Sequence, residues 1–143
     1  MSPGEVDAQV VRRHLLAIRE ALEVLANHVG APLSVLEASH DEQWAVERGL
    51  QLCAQNVLDV ATHIAAAEGR DVPDYASAIS ELGSLGILPP DFASEFSSVA
   101  GFRNVLVHGY LEVDLPLLHR LLNEKLNDFE TFTAHIENYI RQT

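Results

Sequence analysis

Apolar residues recur at alternating steps of four and three along most of the chain, the rhythm of helices that bury one face. Val11, Leu15, Ile18, Leu22, Leu25 and Val29 form the first such seam and predict a helix from about Val6 to His28, stopped by Gly30 and Pro32. Arg12, Arg13, Arg19, Glu20 and Glu23 fall largely off it and read as a solvated face. A short helical turn capped by Ser34 is expected between Pro32 and Ser39, and Asp41 reads as the N-cap of a long helix from about Glu42 to Glu68. Its seam is Val46, Leu50, Cys53, Val57, Val60 and Ile64, and Gly69 closes it. After the turn Asp71-Val72-Pro73-Asp74 a shorter helix, Tyr75 to Leu85 with Asp74 as cap, ends at Gly86-Ile87-Leu88-Pro89-Pro90. Pro90 or Asp91 opens another helix, predicted to run to about His108 and end at Gly109. Asp114 caps the last one, with Pro116 in its first turn and Leu115, Leu118, Leu122, Leu126, Phe129, Phe132, Ile136 and Ile140 on one side. Long amphipathic helices with short connections specify an all-α, antiparallel up-down four-helix bundle with an additional short helix, read as a single domain over residues 1–143.

Composition agrees with helices: of 143 residues 48% are hydrophobic and only 6% aromatic. No apolar run approaches a membrane span, and the one cysteine, Cys53, leaves no internal disulfide and suits a reducing compartment. The expectation is a cytoplasmic protein with no membrane partner. On the seam, Cys53 reads as a small core residue rather than a reactive thiol. The formal charge of −12, with only Lys125 and eight arginines as cations, argues against a nonspecific nucleic-acid coat. It also makes a partner with a basic surface attractive.

The seam of the Pro90 helix is unusual. Phe92, Phe96, Val99, Arg103, Leu106 and Tyr110 keep its rhythm, so a guanidinium and a phenol stand where the pattern asks for apolar side chains. An arginine cannot shed its proton, and on a buried stripe it needs an anion, a carboxylate or a partner subunit. Asp59 is a candidate mate from the second long helix; its alternative is a local hydrogen-bonded pair with His63, four residues on. Arg103 and His108 lie about 140° apart on an ideal helix, whereas Asn104 and His108 share a face. Either the helix loosens at Gly109, or the two side chains meet across a two-fold contact. No two histidines are three or four apart, so no helix offers paired imidazoles for zinc, and no metal or cofactor is expected. Trp44, near a helix start, packs against the neighbouring turn or against a second subunit.

The stretch Arg103-Asn104-Val105-Leu106-Val107-His108-Gly109-Tyr110 resembles the R-N-x-L-V-H-x-Y signature of the HEPN domains, in particular the HepT branch. Glu47-Arg48-Gly49-Leu50-Gln51-Leu52, Leu58-Asp59-Val60-Ala61-Thr62-His63-Ile64, Gly86-Ile87-Leu88 and Asn127-Asp128-Phe129 resemble other family segments in the expected order, from roughly Leu15 to Ile136. The resemblance implies a ribonuclease toxin acting as a homodimer or higher even oligomer, with a composite cleft and no metal. Arg103 and His108 would be catalytic, and Asn104 and Asp59 supporting. It further implies an MntA-like nucleotidyltransferase antitoxin that silences the toxin by AMPylation of Tyr110. The rival expectation is a HEPN docking or substrate-binding subunit without nuclease activity. A purely structural helical dimerisation module is the third.

Overall fold

The computed structural model describes residues 5–101 and 114–142, and these form seven helices: α1 (Ala8–Ala26), α2 (Leu33–Ala38), α3 (His40–Ala67), α4 (Tyr75–Ser84), α5 (Pro90–Phe96), α6 (Leu115–Glu124) and α7 (Leu126–Gln142). The all-α class expected from periodicity is what the chain adopts, with no strand among the described residues.

Helix α3 is the axis of the fold, in contact with α1, α2, α4, α6 and α7. Against α1 it runs antiparallel, as the cross-helix contacts record: the Asp7 N–H donates to His63 Nε2 (3.1 Å), His14 Nδ1 bonds Asn56 Oδ1 (2.7 Å), and Cys53 Sγ lies 3.9 Å from the Ile18 carbonyl. Between these polar contacts Val11, Leu15, Ile18 and Leu25 face Val46, Leu50, Val57 and Ile64, all fully buried. Each such aliphatic side chain contributes about 1.5–3 kcal/mol by leaving water. Gly49 lets the two helices approach, because a Cβ there would stand 2.6 Å from Leu25 Cδ2 and 2.7 Å from its Cγ. From the other side Phe129, Phe132 and Ile136 of α7 complete one contiguous core.

Helix ends explain where the sequence reading and the structure differ. Ser39, not Asp41, caps α3: its backbone is extended (φ −136°, ψ 115°) and its hydroxyl accepts from the Glu42 N–H. Asp41 and Glu42 then fall in the first turn, where acids oppose the positive end of the helix dipole. Ser34 lies inside α2, whose N-cap is Pro32 without a side-chain bond. Asp74 and Asp114 cap α4 and α6 as expected, and α1, expected from about Val6, starts at Ala8 with Asp7 as its cap.

The helix expected from Pro90 to His108 is interrupted. Helix α5 stops at Phe96, and residues 99–101 are helical again after a turn at 97–98. Ser97 and Ser98 each turn their hydroxyl back onto the carbonyl three residues earlier, Ser94 (2.8 Å) and Glu95 (2.9 Å), competing with the helical ladder. The helix expected from Leu115 onward is likewise two segments, broken at Lys125. There Asn123 donates to the His119 carbonyl and accepts from the Gly30 N–H, tying the end of α6 to the α1–α2 loop.

Candidate functional site

Arg103, Asn104, His108 and Tyr110 lie outside the described residues; the structure describes what flanks them in sequence. The approach is aromatic. Phe92 stacks on Phe96 (centroids 4.9 Å), and Phe96 meets Phe129 edge-on (5.7 Å) and Phe132 tilted (5.4 Å). Val99, the next seam residue, is fully buried. The apolar seam therefore holds from Phe92 to Val99 across the turn at Ser97. On the far side, Asp114 starts α6 by accepting from the Leu117 N–H at 3.0 Å. The motif is thus flanked in sequence by a buried aromatic cluster and by a capped helix.

Asp59, the candidate mate of Arg103, is partly buried on α3, and its Oδ1 accepts from the Gln55 side-chain amide one turn earlier (2.9 Å). The local pair with His63 is not made. His63 Nε2 is drawn instead to the Asp7 N–H at the start of α1. Among the described residues, the donor to the Asp59 carboxylate is a neutral amide.

Helix α3 carries two polar atoms whose exceptional status periodicity does not reveal: Glu47 Oε1 and Thr62 Oγ1 are buried without a hydrogen-bond partner among the described residues. Burial pushes the Glu47 carboxyl above the ordinary carboxylate range. Both residues stand in the family-like segments of the sequence, which was the available signal. Within the single chain Trp44 is 62% exposed and stacks on His40, centroids 5.6 Å apart, rather than packing into a neighbouring turn. Cys53 is sealed in the core and burial pushes its thiol up to about 12, far from a nucleophile's range. Among the described residues, no three His, Cys, Asp or Glu side chains cluster to hold a metal ion. No described helix is long and apolar enough to cross a membrane.

Comparison with known proteins places this arrangement. The family described as ribonuclease HepT-like matches residues 18–136. A tRNA nuclease HepT from Aphanizomenon flos-aquae is 26% identical over 137 residues, covering 94% of this chain and 92% of that protein. An mRNA nuclease HepT from Shewanella oneidensis is 26% identical over 91 residues, 63% of this chain and 68% of its own length. In fold, the chain is similar to the tri-AMPylated Shewanella oneidensis HEPN toxin solved in complex with its MNT antitoxin, with a TM-score of 0.78 and 22% identity over 90% of this chain and 97% of that one. The family match spans most of the chain, including the R-x4-H-x-Y stretch, the aromatic approach and the α3 face. The chain belongs to the ribonuclease HepT-like family, the endoribonucleases of the HEPN type.

Proposed function

We propose that the chain is the toxin of a toxin–antitoxin pair and cleaves RNA without a metal ion, through Arg103 and His108 of two copies meeting at a two-fold cleft. The carrying observation is that the R-x4-H-x-Y stretch stands intact inside the residues that match the family, 18–136. The ribose 2′-OH attacks the adjacent phosphorus, the P–O5′ bond breaks, and a 2′,3′-cyclic phosphate and a 5′-hydroxyl result. His108 of one copy takes the 2′ proton, and the partner subunit's His108 returns one to the leaving oxygen. Arg103 stabilises the extra negative charge on the phosphorane. Asn104, on the histidine's helix face, orients the imidazole, and Asp59 faces the arginine. Two-fold symmetry supplies what one ideal helix withholds, an arginine and a histidine converging on one phosphate.

The antitoxin of this proposal is a nucleotidyltransferase of the MntA type that adds AMP to Tyr110. A nucleotide there adds bulk and phosphate charge beside Arg103 and His108, and blocks the strand sterically and electrostatically. The relatives named as tRNA and mRNA nucleases support RNA as the substrate class. Expression without any partner tests the proposal. Growth arrest by the wild type, relieved by His108→Ala, is expected; equal growth with both sinks the toxin.

One observation favours a second reading, a docking subunit for the nucleotidyltransferase. With −12 formal charge and nine basic residues the chain is a poor general ligand for RNA. Harmless expression of both variants together with stable complex formation is its signature.

A further inference from the structure

Trp44 is held in place yet left in water. An indole usually contributes by being buried, but this one is 62% exposed in the second turn of α3. Its ring stacks on His40, one turn earlier, with planes 29° from parallel, so the imidazole supports it as a plate. Arg48 follows one turn later on the same side of the helix, exposed, its Nη1 donating to Gln51 Oε1 at 2.9 Å. Arg19, Arg70 and Arg141 each pair with a glutamate. Arg48 is oriented by a neutral amide instead, and among the described residues no carboxylate compensates its charge. Further along the same face come Gln55 and Asp59, the latter about 22 Å from Trp44 by helical rise.

We infer that the Trp44–Arg48 stretch of α3 is a subsite for single-stranded RNA, where an unpaired base stacks on the indole and Arg48 grips the neighbouring phosphate. This rests on the ribonuclease reading and adds where the strand lies away from the scissile bond. A supported aromatic plate beside a guanidinium that no described carboxylate neutralises is the pair of contacts that single strands use without sequence preference. Stacking does not depend on net charge, which makes it the economical contact for a protein of −12. Asp41, exposed one turn before Trp44, repels phosphate and confines the ionic contact to the Arg48 side.

Trp44 is the chain's single tryptophan, so its emission reports the contact directly. The full chain is titrated with a 2′-O-methyl single-stranded 12-mer, which the proposed reaction cannot cleave. Binding is followed in parallel by anisotropy of the labelled strand. Expected are saturable quenching of Trp44, none with a pre-formed duplex, and a Kd weakened at least about fivefold by Trp44→Ala. Arg48→Gln should lower the salt slope by about one phosphate contact, and Asp41→Asn should tighten binding. Anisotropy that reports binding while emission stays constant and Trp44→Ala binds like wild type overturns the subsite, and cleavage of ordinary RNA by the same protein then leaves the ribonuclease reading standing. Emission that shifts with protein concentration alone assigns Trp44 to a contact between copies and overturns it too. Neither binding nor cleavage of any RNA removes both.

Discussion

Single residues carry opposite lessons about burial. Cys53 lies on the α1–α3 seam and is fully enclosed, so its thiol should be invisible to alkylating reagents until the chain opens. In a urea series the labelling rate is expected to follow the global unfolding transition; rapid labelling without denaturant would contradict the packing. The thiol also has a pH signature. Burial raises it from an ordinary 9.0 to about 12. Its share of stability is therefore intact below pH 9 and is lost as pH climbs towards about 12, because only the unfolded chain ionises freely in that window. Glu47 carries the strain of the opposite kind, a carboxyl partly enclosed with one oxygen unpartnered. Its raised pKa means that folding is favoured while the group is protonated and loses ground as pH rises through the ordinary carboxylate range. Glu47→Gln, which cannot ionise, should raise Tm at pH 7 by on the order of a degree or more, with the gain shrinking towards pH 4. Loss of Tm at pH 7 would mean that the charge has a partner in the assembled protein.

Among elements, the α1–α3 contact decides the most. Gly49→Ala places a methyl group into Leu25, which is fully buried and has nowhere to retreat. The expected cost is about 1–3 kcal/mol in denaturant unfolding. A Leu25→Ala partner change should recover part of it, so that the double variant loses less than the sum of the singles; strict additivity would show that the two positions do not press on one another. Helix existence and facing were legible from spacing alone, since the seam residues of α1 and α3 are those in the core, except that Val29 lies past the end of α1 and is exposed. The interruptions were not. Pattern reading joins Phe92 to Val99 because apolar spacing continues through Ser97 and Ser98, whereas two hydroxyls redirect the carbonyls there. It joins α6 to α7 for the same reason, while the bond from Asn123 to Gly30, 93 residues away, involves a neighbour that no local window contains. The cap of α3 went to Ser39 over Asp41 because both residue types suit the position and only the backbone angle chooses.

The whole molecule sets an acidic field against a chemistry that handles a polyanion. With 21 acids and nine bases, any grip on RNA has to be local, and the R-x4-H-x-Y stretch and the Trp44–Arg48 face of α3 are where we propose it is built. The candidate site stands out in sequence as an arginine and a tyrosine on an apolar seam, inside the residues that match the family. The geometry between Arg103 and His108 was not legible, because on an ideal helix the two would point apart and the proposed two-fold contact would leave no trace in a single chain's periodicity. The measurement that bears most directly on the central claim is cleavage of single-stranded RNA by the purified chain in excess EDTA, beside His108→Ala at equal concentration. Expected are strand breaks ending in 2′,3′-cyclic phosphate, slowed roughly 10²- to 10⁴-fold by the substitution, the range that positioned proton transfer supplies. RNA left whole by the wild type, or cut equally fast by His108→Ala, would contradict it.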